Sequence, residues 1–124
     1  MTESYDNKIL VIEDSDQRIS WFKSKGIGNK FCKNVNHGLK EIKKKYNIVF
    51  MDFNLKNKRS SYKIAKYISE HKEMFQNVNI IIHSNDPKGR NLLFNLLKHL
   101  NVKIVPYRIL RNSLHTLTGD FYNG

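Results

Sequence analysis

The sequence predicts an α/β fold in which a parallel sheet lies between two layers of helices. Three short apolar runs carry this prediction, at residues 9–12 (ILVI), 48–51 (IVFM) and 80–82 (III). Runs of β-branched and bulky residues are typical of strands that are buried on both faces. Helical patterns separate the three runs, and strands that alternate with helices are typical of a doubly wound parallel sheet. The 124 residues fit one domain, 1–124, with one core.

The first half of the chain alternates strands with helices. The predicted elements are a strand at 8–12, a helix at 16–25, a weak strand at 30–34, a helix from about Asn36 and a strand at 47–52. Asp14 or Ser15 suits the cap of the first helix, and Gly26 and Gly28 suit its end. The inward stripe of the second helix is Val35, Leu39, Ile42 and Tyr46.

The second half repeats the alternation. After a polar loop at 54–60, the prediction is a helix with the inward stripe Ile64, Ala65 and Ile68, then a strand at 78–83. Pro87 suits the first turn of the next helix, where its missing N–H costs nothing. That helix carries Leu93, Leu96, Leu97 and Leu100 on one face. A last strand at 102–105 precedes a helix striped by Leu110, Leu114 and Leu117, and residues 1–6 and 119–124 are expected to be loose.

Polar side chains follow three of the predicted strands. Glu13 and Asp14 follow the first, Asp52 the third, and His83 and Ser84 the fourth. Open parallel sheets bind ligands in the crevice outside the carboxyl ends of their strands. Carboxylates that converge there repel one another unless a proton or a cation lies among them, and hard oxygen ligands favour Mg²⁺. The sequence therefore predicts a magnesium or phosphate site at this edge.

Two of these residues, Asp14 and His83, also have a purely structural interpretation. Asp14 alone suits a helix cap, and His83 either faces the crevice or packs in the flank of the sheet. Lys88 opens a helix whose backbone amides suit an anion near Ser84. No glycine-rich phosphate loop or nucleophile elbow is present in the sequence.

The composition of the chain limits its cellular setting and its partners. The chain has no apolar run of membrane-spanning length, its first residues are polar, and the lone Cys32 has no internal disulfide partner. A reducing, cytoplasmic setting and a buried Cys32 are the expectation. Lys and Arg number 22 against 11 acidic residues, for a net charge of +11. This excess suits either solvated surfaces or a polyanionic partner, such as a nucleic acid or an acidic protein.

The residues at the strand ends resemble the receiver domain of two-component response regulators. The segment ILVIEDS resembles the first receiver strand with its acidic pair at Glu13 and Asp14, and IVFMDFNL places Asp52 at the phospho-acceptor position. The resemblance implies a flavodoxin-like five-stranded parallel sheet and a metal site to which Asn54 offers its backbone carbonyl. The segment IIIHSND places Ser84 at the hydroxyl position of the family.

The fifth strand departs from the receiver pattern. Receivers carry a lysine directly before the proline there, whereas this chain has Val105 before Pro106. Lys103 lies two residues earlier, on the same face as Val105 by strand alternation, and is the candidate substitute.

A closer resemblance is to the cyclic-phosphate-processing receiver family of bacteria and phages. The segment from His83 to Gly89, followed by a leucine-rich helix, and the sequence VPY at 105–107 carry it. That family usually has Asp-His-Asp-Leu after the third strand, where this chain has Asp-Phe-Asn-Leu at 52–55.

Three functions remain open from the sequence. The first is a domain that binds or processes a phosphate, possibly cyclic or on a nucleotide, with Mg²⁺. In it Glu13, Asp14, Asp52 and Asn54 are the metal set. Its phosphate set is Ser84, Asn85, Lys88 and Lys103, and its catalytic set is Asp52, His83 and Ser84. The second is a degenerate receiver that binds a protein or a nucleic acid. The third is a response regulator that is phosphorylated on Asp52.

Overall fold

The computed structural model of the chain describes residues 8–112. Its strands are β1 (Ile9–Ile12), β2 (Lys30–Cys32), β3 (Ile48–Met51), β4 (Asn54–Leu55), β5 (Arg59–Ser60), β6 (Asn79–Ile82) and β7 (Val102–Ile104). Five of them form one parallel sheet in the order β2-β1-β3-β6-β7. This order confirms the predicted flavodoxin-like sheet. The order reverses between β1 and β3, which is where such sheets bind ligands.

Helices cover both faces of the sheet. They are α1 (Asp16–Ser24), α2 (Val35–Ile42), α3 (Tyr62–Glu70) and α4 (Pro87–Leu97), with a 3₁₀ turn at Lys72–Phe75 and a helical segment at 107–112. Strand residues alternate between two cores. Leu10, Val49 and Ile80 face the core beneath α2, α3 and α4. Val11 and Phe50 face the core beneath α1 and the 107–112 segment. Cys32 is fully buried, as expected.

Local side chains fix the helix starts. The Ser15 hydroxyl accepts a hydrogen bond from the Arg18 N–H at 3.2 Å and caps α1, which settles the choice between Asp14 and Ser15. Asn34 caps α2 through its amide oxygen, which accepts from the His37 N–H at 2.8 Å. For this reason β2 ends at Cys32, before the predicted 34, and α2 begins at Val35. Asp86 caps α4, with Pro87 in the first turn as predicted.

The prediction of an irregular loop at 54–60 is wrong. Residues 54–60 form an antiparallel two-stranded hairpin, with Asn54 opposite Ser60 and Leu55 opposite Arg59. Asn57 and Lys58 at its tip both have positive φ, 63° and 56°. Such a tip resembles the primed turns of tight hairpins, although only Asn57 is a usual residue for it.

Of the predicted last helix, Leu110 is buried. Leu114, Leu117 and the segments 1–6 and 119–124 lie outside the described residues. No helix within 8–112 is long and apolar enough to span a bilayer.

Candidate functional site

Three polar residues lie side by side at the carboxyl edge of the sheet because the three central strands end in register. Ile12 pairs with Met51, and Met51 pairs with Ile82. The next residue along each strand is therefore Glu13, Asp52 or His83. Their backbones continue the ladder, since the Asp52 N–H donates to the Ile12 carbonyl and the His83 N–H to the Met51 carbonyl, each at 3.0 Å. One ligand atom from each of the three side chains lies within 4.8 Å of the others, so the cluster could hold a metal ion.

Glu13 is a buried carboxylate that is held on three sides. Its Oε1 lies 2.8 Å from His83 Nε2, its Oε2 accepts from the Ser15 N–H at 3.0 Å, and Arg18 Nη1 lies 3.7 Å from Oε1. Burial by itself raises the pKa of Glu13, but the hydrogen bond and charge of His83, with the Ser15 amide and Arg18, hold that pKa below its ordinary value. Glu13 is therefore ionised and can only accept hydrogen bonds, so His83 Nε2 donates the proton of the bond.

His83 is placed beneath the crevice. It is fully buried between the rings of Phe22 and Phe50, at centroid distances of 5.6 and 6.3 Å. Its Nδ1 has no hydrogen-bond partner among the described residues. The contact with Glu13 makes His83 a group that orients a carboxylate of the site. Its predicted catalytic role stays a prediction.

Asp52 lies at the floor of the crevice. Its Oδ1 accepts from the Phe53 N–H at 2.8 Å, and its Oδ2 lies 3.6 Å from Arg18 Nη1. Burial is the main reason that the pKa of Asp52 rises from 3.8 to about 6, and the charge of Glu13 adds to the effect against the opposing charges of His83 and Arg18. The pKa of Asp14 is also raised, by burial and then by the charge of Glu13. Burial is the larger cause of both shifts, and the neighbouring carboxylate of Glu13 adds to it.

These side chains open onto a surface cavity of about 400 Å³. Its lining combines four carboxylates, one guanidinium and several neutral polar groups: Glu13, Asp14, Ser15, Gln17, Arg18, Asp52, Asn54, Ser84, Asn85 and Asp86. The Ser84 hydroxyl oxygen accepts from the Asp86 N–H at 3.1 Å, which leaves its own hydrogen to donate. Asn54 Nδ2 reaches Asp86 Oδ2 at 3.4 Å and links the hairpin to the start of α4.

Most of the predicted site residues are brought together and two are not. Glu13, Asp14, Asp52, Asn54, Ser84 and Asn85 all line the cavity. Lys88 is exposed on the first turn of α4 and is outside this lining. Lys103 pairs with Ile81 in the sheet and borders a different cavity, beside Asn79 and Asn101. The phosphate-binding roles predicted for both lysines stay predictions.

Arg18 is the cationic residue of this site that the sequence prediction missed; Ser15, Gln17 and Asp86 also line the cavity without having been predicted as site residues. Arg18 lies on the first turn of α1, four residues after Asp14, and its guanidinium carbon is 4.6 Å from the centre of the Tyr107 ring. A cation one helical turn after an acidic strand end is the signal that could have found it. The Tyr107 contact could not be found this way, because Tyr107 follows β7, far along the chain.

The residues fit a small, hard dication. The cavity is lined by the carboxylates of Glu13, Asp14, Asp52 and Asp86 and by Asn54, and oxygen ligands are those that Mg²⁺ prefers. A bound dication would offset the burial and crowding that raise the pKa values of Asp14 and Asp52. The acidic cluster of Glu13, Asp52 and His83 therefore could bind a metal.

Several solved structures with the same fold are receiver domains. The chain is similar to a CheY-like response regulator receiver domain from Methanospirillum hungatei JF-1, with a TM-score of 0.71, 11% identity and 94% of each chain covered. It is similar to the response regulator TrrA from Thermotoga maritima in complex with Mg²⁺-BeF, with a TM-score of 0.64, 17% identity and coverage of 91% of this chain and 97% of that one.

A third similar structure is the N-terminal domain of an uncharacterized protein from Wolinella succinogenes, with a TM-score of 0.70, 16% identity and 94% of each chain covered. At these identities the three likenesses show the fold alone. No curated protein matches the sequence. A family model described as the cyclic-phosphate processing receiver domain matches residues 8–99, well over half of the 124 residues. The chain therefore belongs to the cyclic-phosphate processing receiver domain family.

Proposed function

We propose that this domain binds a phosphate ester together with Mg²⁺ in the carboxylate cavity, and that the ester is a cyclic phosphate. The single observation that carries the proposal is the composition of one cavity. It combines the carboxylates of Glu13, Asp14 and Asp52 with the buried Ser84 hydroxyl. The description of the family supplies the cyclic phosphate as the ligand class.

The two halves of the cavity have different tasks in this proposal. Glu13, Asp14 and Asp52 would hold the cation on the side of β1 and β3. A bound Mg²⁺ would offset their negative charge and draw electron density from a phosphate oxygen. Ser84 and the exposed Asn85 lie on the side of β6 and α4, where the hydroxyl and amide hydrogens suit phosphate oxygens.

Hydrolysis of a cyclic phosphate needs a positioned water molecule, stabilisation of the charge on the phosphate and transfer of one proton from the water to the departing oxygen. Water adds to phosphorus, one ring P–O bond breaks, and the departing oxygen takes up a proton to leave a phosphate monoester. The side chains of the cavity would orient the phosphate and stabilise its charge, as in other phosphoryl-transfer sites. His83 would act through Glu13, because the bond between them fixes the direction of that carboxylate.

The test uses the single tryptophan as a reporter. Trp21 packs edge-on against Tyr107 at a centroid distance of 5.5 Å, and Tyr107 in turn contacts Arg18 in the cavity lining. Mg²⁺, and then a 2′,3′-cyclic nucleotide, would be titrated while Trp21 fluorescence is followed. Phosphorus NMR of the same samples would detect the monoester. We expect saturable binding of both ligands that an Asp52→Asn variant weakens; no response to either ligand would contradict the proposal.

A second candidate function is the binding of single-stranded nucleic acid at the opposite edge of the sheet. A cavity of about 540 Å³ there is lined by Lys8, Lys43, Lys44 and Lys45, and none of its described lining residues is acidic. Its apolar part includes Phe75, Val78 and the half-exposed Met74. Cations around an apolar floor suit a polyanion whose bases contact the floor.

Salt dependence tests the second candidate. We expect the affinity for a short single-stranded oligonucleotide to fall steeply as salt rises, and a Lys43→Glu/Lys45→Glu variant to lose binding. A Lys66→Glu/Lys72→Glu variant is the control, because it changes the charge equally at exposed sites outside that lining. Equal losses in both variants would mean attraction by net charge only. Binding of an acidic peptide in place of the oligonucleotide would contradict this candidate.

A further inference from the structure

We infer that Arg18 contacts the phosphate of the bound ligand in the carboxylate cavity. This inference rests on the proposed function and adds to it the residue that recognises the anion. Among the ten described residues that line the cavity, Arg18 is the one with a cationic side chain. Four others carry carboxylates, so an anion that enters the cavity needs a positive group to offset their repulsion.

The contacts of Arg18 leave its donors available to a ligand. Nη1 lies 3.7 Å from Glu13 Oε1 and 3.6 Å from Asp52 Oδ2, and both separations are longer than a hydrogen bond. The guanidinium therefore lies between the two carboxylates without being fixed to either. Its side chain is 26% exposed, whereas those of Glu13 and Asp52 are 1% and 8% exposed. Arg18 is therefore more accessible to a ligand than either of the two carboxylates beside it.

Tyr107 holds the guanidinium in place from the other side. The Arg18 Cζ lies 4.6 Å from the centre of the Tyr107 ring, within the range of a cation–π contact. The Tyr107 N–H donates to the His83 carbonyl at 2.8 Å, which fixes the Tyr107 backbone to the end of β6, and the Tyr107 ring packs edge-on against Trp21. Arg18 is thus oriented before a ligand arrives. Planar guanidinium groups that are held in this way favour bidentate bonds to phosphate.

A simpler role for Arg18 is that of a counter-ion for Glu13 and Asp52. The two roles differ in what removal of the charge does. If Arg18 only offsets the carboxylates, an Arg18→Met variant binds Mg²⁺ as tightly as the wild type or more tightly, and phosphate binding does not change. If Arg18 contacts phosphate, the same variant binds Mg²⁺ at least as well but loses affinity for the phosphate.

The experiment compares three proteins by Trp21 fluorescence and calorimetry: wild type, Arg18→Met and Arg18→Lys. Each is titrated first with Mg²⁺ and then, in excess Mg²⁺, with inorganic phosphate and with beryllofluoride. Lys23→Met is the matched control, because Lys23 lies on the same helix but is exposed and outside the cavity lining. Urea unfolding of every variant shows that the comparison is made between folded proteins.

We expect Arg18→Met to bind both anions about 10- to 100-fold more weakly than wild type, the effect of losing a charge-assisted bidentate contact. Arg18→Lys should recover part of this loss, and Lys23→Met should bind as wild type. Anion affinity equal to wild type in a folded Arg18→Met variant would overturn the inference and leave the proposed function standing. If wild type binds neither Mg²⁺ nor an anion, the proposed function fails and the inference fails with it.

Discussion

Glu13 and His83 form a buried pair at the ends of β1 and β6, across the intervening strand β3, with Oε1 of the first 2.8 Å from Nε2 of the second. Both residues have no exposed surface, and 70 positions separate them in the sequence. The pair sits on the side of the sheet that carries Val11, Phe50 and Ile81, because side chains alternate along each strand. The carboxylate of Glu13, which belongs to the cavity at the sheet edge, is therefore held by a partner that lies inside the core.

The first prediction concerns this pair. We expect His83→Leu to lower the free energy of unfolding at pH 7 by about 2–4 kcal/mol, because Glu13 then remains buried and charged with a main partner gone. The loss should be smaller near pH 4, where Glu13 can be protonated in the variant. Urea unfolding at both pH values measures it.

Two further variants separate the pair from a general effect of histidine loss. The double variant Glu13→Leu/His83→Leu should cost less than the sum of the single changes, since it leaves no charge behind. His99→Leu, at an exposed position, should be close to neutral. Additive single effects would show that Glu13 and His83 do not act as a pair.

The second prediction is that Asp52 destabilises the fold at neutral pH. Its pKa is about 6 in the fold against 3.8 as the ordinary value. Between these pH values the folded chain holds a proton that the unfolded chain has lost, so stability falls as pH rises through this window. Asp52→Asn removes the fall, and we expect the variant to be more stable than wild type by about 1–3 kcal/mol at pH 7.5 and nearly equal at pH 3.5.

An exposed carboxylate gives the matched control for Asp52. Asp16 forms an ion pair with Lys33, which holds the pKa of Asp16 below its ordinary value. An Asp16→Asn variant should therefore be equal to wild type or slightly less stable at pH 7.5, the opposite direction from Asp52→Asn. Thermal unfolding of the three proteins across pH 3.5–8 compares them. An Asp52→Asn variant that is less stable than wild type at pH 7.5 would contradict the raised pKa of Asp52.

The third prediction is that protons compete with Mg²⁺ for the site. A ligand with a pKa of about 6 is mostly protonated at pH 5, so the Mg²⁺ dissociation constant should be about tenfold larger at pH 5 than at pH 7.5. Asp14, whose pKa is also raised, acts in the same direction. Calorimetry at the two pH values measures the ratio. The same affinity at both would mean that neither Asp14 nor Asp52 gives up a proton when the cation binds.

The sequence was sufficient for the sheet and for its acidic edge. Apolar runs that end together in Glu13, Asp52 and His83 determine both, because parallel strands in register bring their carboxyl ends to one line. It was not sufficient for the orientation of the Arg18 guanidinium, which depends on the Tyr107 ring from a distant helix. The sequence also left open the side of the sheet on which His83 lies. Both faces of β6 are apolar, so the alternation of its side chains does not show which face carries the site until the neighbouring strands are known.

The fourth prediction concerns Gly89, which lies against the ring of Phe53. A methyl group at Gly89 would overlap the Cγ and Cδ2 atoms of that ring, and Gly89 is buried in α4. We expect Gly89→Ala to lower the free energy of unfolding by about 1–3 kcal/mol despite the helix propensity of alanine. It should also weaken Mg²⁺ binding, because the overlap reaches Phe53 Cβ, and a shift of the Phe53 backbone would displace the N–H that donates to Asp52 Oδ1.

A second buried helical glycine provides the comparison. A methyl at Gly38 would meet mainly Cδ1 at the flexible end of Ile64, which can turn aside, so Gly38→Ala should cost less and leave Mg²⁺ affinity unchanged. Combining Gly89→Ala with Phe53→Leu should restore part of the lost stability, since the smaller side chain makes room for the methyl group. Urea unfolding and Mg²⁺ titration of the four proteins make the comparison. If Gly89→Ala matches wild type in both, the close approach of Phe53 to α4 does not position Asp52.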